Sequence, residues 1–529
     1  MAAARPQQQS PGTLAALVPA LVVVFVAALD LTVIAPLLPK MLFDLQINTA
    51  EADRYVWIVS GYLIAYTVSI PLMGRLSDRI GRRATFLVAL LVFLAGSGFS
   101  ASAHSLEALI VARAVQGVGG GAMVPVAMAL VGDLLPPEER AGALGVVAAV
   151  DTLGWVLGPI WGAVIDALFS SWRAVFWLNL PIGVLAVLGL VFFWRHRAAP
   201  RTRTVGGRPD VLGALLLSLG LVALNLGFAS SAGGVSGETL ALGSSPNPLE
   251  PYRIPLIVAG VVALPALVVV ELRVSRPLIP MALFRDRLFS AANATNVLVG
   301  AGLMVALVNV PLLVSLLENA DRATTVSAEL LGAFSLTMAI GAWLGGRATR
   351  LIGYRPLIWV GLALAAIGFV SMSTWPNHID LERMLPDLAV GGLGFGLVVA
   401  PIGAAAINAA RQEDLGIASA LVIVMRLLGM TLGISILTGW AVRRLNEALT
   451  SLPPVVQQPG ESVAQYLTRQ ETFAQEHAIP LTLGIIRDTY GAAAVICFAA
   501  LIPAAFLVMR HKQREGEPSE ERQWFSRSR

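Results

Sequence analysis

The sequence predicts an all-α polytopic membrane protein, on three observations. The chain has 529 residues, 56% of them hydrophobic and only 13% charged, with a mean hydropathy of +0.74. A soluble chain carries about twice that charged fraction. Apolar runs of about 18 residues or more recur from end to end, each the length of a bilayer-spanning helix. The connections between those runs alternate between arginine-rich and arginine-poor.

The first run, 15–38, follows a start whose only basic residue is Arg5. It continues past Asp30 without a small-x-small cleavage site, which makes it an uncleaved first span rather than a signal peptide. Spans two to six fall at 55–74, 84–103, 107–131, 142–165 and 174–194. Two more fall at 211–230 and 254–272. The last six fall at 290–317, 327–346, 356–374, 386–409, 415–440 and 485–509. Fourteen spans put both termini on one side. Connections on the side of "GRLSDRIGRR", "WRHRAAPRTRTVGGRP" and "GGRATRLIGYRP" carry roughly 18 Lys or Arg against roughly 10 on the other, and basic connections mark the cytoplasm. The expectation is a plasma-membrane protein with both termini cytoplasmic. Three segments exceed turns: a basic linker at 195–210, a Gly/Ser/Pro-rich stretch at 231–253, and an outer segment at 441–484. In the last, "AVRRLNEALTSL" and "ESVAQYLTRQETFAQEHAI" look helical and "PPVVQQPG" breaks them.

An internal repeat divides the chain. "GRLSDRIGRR" at 74–83 returns as "GRATRLIGYR" at 346–355, "GVGGG" at 117–121 as "GLGFG" at 392–396, and "APLLP" at 35–39 as "VPLLV" at 310–314. "VAAVDTLGWVLGPIWG" returns as "IVMRLLGMTLG", with Gly154 and Gly158 over Gly429 and Gly433. Four matches in the same order, at shifts of 272 to 275, predict two six-helix halves related by a parallel pseudo-twofold axis along the membrane normal. The domains are then 1–194, a linker 195–289 holding two inserted helices, 290–509, and a tail 510–529.

Ionisable groups inside spans cost about 2.5–3.5 kcal/mol on insertion scales, so they face cavities and mark pathways. Four stand out: Asp30, Arg113, Asp151 and Arg426. At about 1.5 Å per residue, Asp30 and Arg113 both fall in the outer half of the membrane, within reach of one another. Asp151 and Arg426 fall near the midplane and align in the repeat. Two readings of that second pair stay open, a switchable lock and a fixed structural pair. Asp30 has no charged counterpart in the second half and is the candidate proton carrier; a static assembly pair is the alternative. Gly154, Gly158, Pro159 and Gly162 form one smooth helix face with a bend at the proline. Asn293 and Asn296, with Trp155, Trp161 and Met304, are candidates for lining a pathway; packing is the plainer role for the last three. The sparse polarity of the spans argues against a sugar or nitrate pathway and favours hydrophobic or amphipathic cargo, drugs or lipids.

These motifs carry a resemblance. "GRLSDRIGRR" resembles the signature loop of the major facilitator superfamily, "RAVQG" its second motif, and "GWVLGPIWGAVI" the glycine-proline motif of its antiporters, with Ala163 where that motif has a glycine. "ALDLTVIAPLLP" and "WRAVFWLNLPIG" resemble the fourteen-span drug:proton antiporter branch. Within it, the acids in spans one and five, the arginine of the repeat and the long outer segment are most similar to mycobacterial multidrug and triacylglycerol exporters that work with a lipoprotein. The resemblance implies the major facilitator fold, no cofactor beyond a proton gradient, and an outer lipoprotein or carrier as a partner at 441–484. It also implies that Gly74, Arg75, Asp78, Arg79, Gly81, Arg82 and Arg83, in a short turn, latch the halves on the cytoplasmic side; a positive-inside anchor is the alternative. Arg350 stands where Asp78 would recur, so no matching latch is expected in the second half.

The leading reading is a proton-coupled exporter working by alternating access. A solute importer or uniporter, an intramembrane enzyme and a non-transporting receptor or scaffold are the alternatives. The chain has no H-E-x-x-H, no G-x-S-x-G and no nucleotide-binding loop, and its five histidines are scattered. "GVGGGA" has no preceding strand, so it is a helix-packing stretch rather than a dinucleotide site. One cysteine, Cys497, excludes an internal disulfide and a cysteine metal site. A net charge of +4 is no nucleic-acid signal.

Overall fold

A computed structural model describes residues 17–34, 37, 40, 41, 44, 45, 56–195, 210–232, 250–274, 277–450 and 462–507. The greater parts of the basic linker and of the Gly/Ser/Pro-rich stretch, the "PPVVQQPG" break and the C-terminal tail lie outside these residues. The described residues are helical, with no strand among them. The first six helices are α1 Val18–Thr32, α2 Val56–Ile80, α3 Arg82–Ala101, α4 Leu106–Leu134, α5 Pro137–Phe169 and α6 Arg173–Arg195. The inserted pair is α7 Val211–Ala232 and α8 Arg253–Arg273. Then follow α9 Arg287–Leu317, α10 Ala320–Ile352, α11 Tyr354–Met372, α12 Leu381–Ala409, α13 Leu415–Thr450 and α14 Ile479–Ala504.

Eleven helices among the described residues are long and apolar enough to cross a membrane, and α5, bent by 47° near its middle, makes a twelfth. α1 and the first part of α7 are apolar but shorter. Large apolar side chains point outward along these helices, among them Leu185, Phe192, Ile254 and Ile502. A bilayer is the solvent that such a surface requires.

Local chemistry sets the helix ends. Ser105 caps α4 by accepting from the Ala108 amide at 3.2 Å, and Asp286 caps α9 through the Leu288 and Phe289 amides. Pro137 opens α5, where its missing N–H has no helical partner to lose. The expected short turn at "GRLSDRIGRR" is instead almost entirely helix. α2 runs on through Ile80, α3 begins at Arg82, and only Gly81 intervenes, at φ 97°. A side chain is strained at that φ, so one glycine suffices to break the helix, and the charged residues keep fixed helical directions. Gly353 does the same between α10 and α11, at φ 79°. The outer segment continues its flanking spans as expected: α13 runs to Thr450, and Val463–Phe473 passes through a π turn at Ala474–Ala478 into α14.

In the first half α1 lies along α5, while α4 packs on α2 and α3. In the second α9 lies along α13, while α12 packs on α10 and α11. The halves meet chiefly through α2 against α13 and α5 against α10. α7 and α8 pack on each other, and α7 touches α13 and α2.

The contact of α1 with α5 follows from the glycine face. A Cβ on Gly154 would come within 2.5 Å of the Ala28 Cβ, and one on Gly158 would strike the Thr32 hydroxyl. Gly162 is buried on the same helix. Gly429 and Gly433 bring α13 equally close to Val297 and Ala301 of α9. The bend in α5 falls near residue 156, in the turn before Pro159. Pro159 has no N–H for the Trp155 carbonyl four residues back, and the Thr32 hydroxyl of α1 donates to that carbonyl at 2.8 Å. Gly158 leaves the room for Thr32 to do so. Thr32→Val keeps the shape and removes the donor, leaving a carbonyl unpaired in an apolar contact. Thermal unfolding of the purified protein is expected to show a loss of about 1–3 kcal/mol, and Thr32→Ser is expected to recover most of it.

Candidate functional site

Five helices converge on Asp30, which is 2% exposed near the end of α1. Arg113 of α4 pairs with its Oδ2 and donates to its carbonyl at 3.3 Å. Gln116, one turn further along α4, donates to Oδ1 at 2.9 Å and accepts from Arg113 at 2.8 Å. Asn179 of α6 donates to the same Oδ1 at 3.1 Å and lies 3.1 Å from the Ser97 hydroxyl of α3. Ser97 in turn donates to the Phe176 carbonyl at 2.9 Å. The Arg113 guanidinium stacks over the Tyr62 ring of α2, 4.1 Å from its centroid.

The second pair lies between the halves. Asp151 of α5 and Arg426 of α13 approach to 3.9 Å, beyond hydrogen-bond reach. They line a small cavity of about 30 Å³ together with Val124, Met128, Asn296 and Val422. Its wall is otherwise apolar and includes residues from both halves. Asn296 donates to the Val422 carbonyl at 2.5 Å. The remaining pathway candidates lie outside that lining. Asn293 donates to Phe289 of its own helix. Trp155 and Met304 pack against the main core, and Trp161 against the apolar cluster around Leu37, Met41 and Trp172.

Bonds between the halves gather at the end that carries the arginines. Asp78 accepts from the Gly416 and Ile417 amides at 2.8 and 2.9 Å, at the N-terminus of α13, where the helix dipole favours an anion. The approach is possible because Gly74 and Gly416 lie against each other without side chains. Arg82 pairs with Asp78 at 2.6 Å and with Asp133 at 3.3 Å, and donates to the Gln412 carbonyl. Gln412 closes the ring by donating to Asp133 at 3.0 Å. Arg75 pairs with Asp414 at 3.0 Å and donates to the Pro277 carbonyl at 2.9 Å. Arg79 and Arg83 are half-buried beside them. On the α5–α10 side, Arg350 donates to the Glu139 carbonyl, and Arg140 to Asn408 at 2.8 Å. There an amide stands where the first side has carboxylates.

All four intramembrane charges therefore have the partners their depths allowed. Gln116, Asn179, Tyr62, Asp133 and Asp414 complete the sites without having stood out in the sequence. Gln116 was legible, three residues after Arg113 and so on the same helix face. Asn179 is the one polar residue in "VFWLNLPIG". Tyr62 and the two acids gave no signal, since their role depends on which helices meet.

A fold of this kind, with a buried acid–arginine pair in one half and a charge-lined cavity between the halves, defines a membrane transporter rather than an enzyme. The chain belongs to the major facilitator superfamily, whose family model matches residues 20–434. It is 34% identical over 508 residues to a triacylglyceride transporter of Mycolicibacterium hassiacum, covering 93% of this chain and 91% of that one. A probable triacylglyceride transporter of Mycobacterium leprae is 34% identical over 510 residues, covering 94% and 96%. Among solved structures, the human organic anion transporter MFSD10 superposes with a TM-score of 0.59 at 15% identity, over 94% of this chain and 100% of that one. The proton:xylose symporter XylE superposes with a TM-score of 0.55 at 14% identity, over 92% and 95%. These superpositions speak to the fold alone.

Arg82 is 3% exposed and holds two carboxylates. Arg82→Ala takes the guanidinium from both while their amide partners remain, and stripping one partner from a buried pair costs about 3–5 kcal/mol. Denaturant unfolding of Arg82→Ala and Asp78→Asn is expected to show the larger loss for Arg82→Ala, because the carboxamide introduced by Asp78→Asn can still accept from one backbone amide of α13.

Proposed function

We propose that this transporter exports hydrophobic or amphipathic lipids, of triacylglycerol type, by proton antiport across the plasma membrane. The single observation that carries the coupling is the enclosure of Asp30 by Arg113, Gln116 and Asn179. A proton arriving at Asp30 cancels the charge that holds Arg113 and changes the balance between conformations. The lipid cargo rests on the apolar wall of the cavity between the halves and on the relatives named triacylglyceride transporters. Drugs of similar character are the alternative cargo.

In this reading the chain has fourteen spans, with α1 and α7 among them. They form two halves, 1–194 and 290–509, related by a pseudo-twofold axis, with 195–289 inserted between. The arginine-rich end and both termini face the cytoplasm, so the bonds of Arg75, Asp78 and Arg82 hold that side shut. The pathway then opens outward, toward the extended ends of α13 and α14, where a lipoprotein or carrier docks on 441–484. Asp151 and Arg426 form the lock that is made and broken between conformations. The α1–α5 glycine face, with Pro159, allows that movement.

Purified protein in liposomes, with an imposed pH gradient and separate triacylglycerol and cationic-dye reporters, tests the proposal. Substrate-dependent proton flux is expected with the lipid. Asp30→Asn is expected to make transport independent of the gradient while leaving downhill exchange. Gradient-indifferent transport by the unaltered protein would make it a uniporter. For the lock, Asp151→Arg and Arg426→Asp are each expected to stop transport, and the double exchange to restore part of it. Failure of the double exchange to rescue would leave the pair a fixed structural one.

A further inference from the structure

Glu271 is 3% exposed near the end of α8, and neither of its carboxylate oxygens makes a full hydrogen bond. The Leu278 and Ile279 amides are the backbone donors that face it. A second carboxylate, Asp210, stands beside it at the start of α7. One Asp210 oxygen, Oδ1, accepts from the Gly213 amide at 2.8 Å, while Oδ2 is buried and unpaired. Gly213 is what admits both groups. A Cβ there would lie 2.5 Å from Asp210 Oδ2 and 2.7 Å from Glu271 Oε1, which puts the two oxygens within about 5 Å of each other, the range in which two carboxylates resist ionising together. Among the described residues, the charged side chains acting on Glu271 are Asp210 from α7 and Arg75 from α2.

We propose that Asp210 and Glu271 hold one proton between them, a protonation site in the inserted helix pair separate from Asp30. Two buried carboxylate oxygens facing one another across a bare glycine are best satisfied by holding one proton between them, which removes the repulsion. The site is wired to the closed end of the transporter. The amides facing Glu271 belong to the residues directly after Pro277, whose carbonyl accepts from Arg75. Arg75 also holds Asp414, at the start of α13. Release of the proton to solvent leaves a second negative charge near Arg75, in competition with Asp414 for the same guanidinium. The inserted helices thus bias the latch through their state of protonation, and that role does not depend on what the transporter carries.

Infrared difference spectroscopy of the purified full chain in nanodiscs, titrated with pH, tests this without any substrate. Glu271→Gln leaves Asp210 without a like charge beside it, and Asp210→Asn leaves Glu271 facing only Arg75. Each substitution removes that repulsion, so the remaining acid is expected to release its proton at lower pH. The protonated-carboxyl band, one group per molecule, should therefore titrate at lower pH in both variants and be unmoved in Asp30→Asn. The Asp210→Asn side chain keeps the cap on Gly213, so this variant stands if Glu271→Gln folds poorly. A band whose titration is unmoved in either variant overturns the shared proton. As a second readout, the distance between spin labels at the ends of α2 and α13 is expected to shift with pH in the unaltered protein across the titration of that band. The same shift in Glu271→Gln would overturn the link to the latch.

Discussion

A charge removed from water must be answered by another charge or by several hydrogen bonds, and in this protein that constraint organises the first half. Asp30 sits in a helix with almost no other polar group. Its oxygens are met by a guanidinium, two amides and, through Asn179, a hydroxyl. Those groups come from α3, α4 and α6, with the Tyr62 ring of α2 closing over the guanidinium. Each helix must be placed so that its one donor reaches the acid. The network is thus a specification of the bundle as much as a site within it, and a change in the charge of Asp30 is felt by every helix that answers it.

Glycine supplies the complementary device. Where α1 meets α5 and α9 meets α13, backbones approach too closely for side chains, an approach that small residues in membrane spans allow. Pro159 adds a break in the hydrogen-bond ladder of α5 that Thr32 repairs from outside the helix. The bend is therefore held by a neighbour rather than by α5 itself. A movement of α1 relative to α5 would change its angle.

The strength of the bonds between the halves is graded. At the arginine-rich end, carboxylates, guanidinium groups and helix-terminal amides interlock at hydrogen-bond distances. Near mid-membrane, Asp151 and Arg426 stand 3.9 Å apart beside a cavity. In the first arrangement each carboxylate meets a guanidinium or a backbone amide directly. In the second the two charges stand beyond hydrogen-bond reach. Arg140 of α5 meets a neutral amide, Asn408 of α12, across the halves, and Arg82 reaches the Gln412 carbonyl.

Much of this was legible before any coordinates. Spans, the arginine bias and the repeated motifs follow from composition and spacing, because a bilayer forces every spanning segment to be long, apolar and helical. The four intramembrane charges announced themselves by their cost, and their depths followed from helical rise. The expectation of a turn at 74–83 failed because helix propensity and interface packing carried α2 on to Ile80, leaving Gly81 alone to break it. What only the tertiary structure decided is which helix faces meet. The partnership of Asp30 with Asn179, of Asp78 with the amides of α13 and of Glu271 with Asp210 spans from 61 to 339 residues of sequence. No local pattern encodes such pairs, because they arise from the order in which the helices pack around one another.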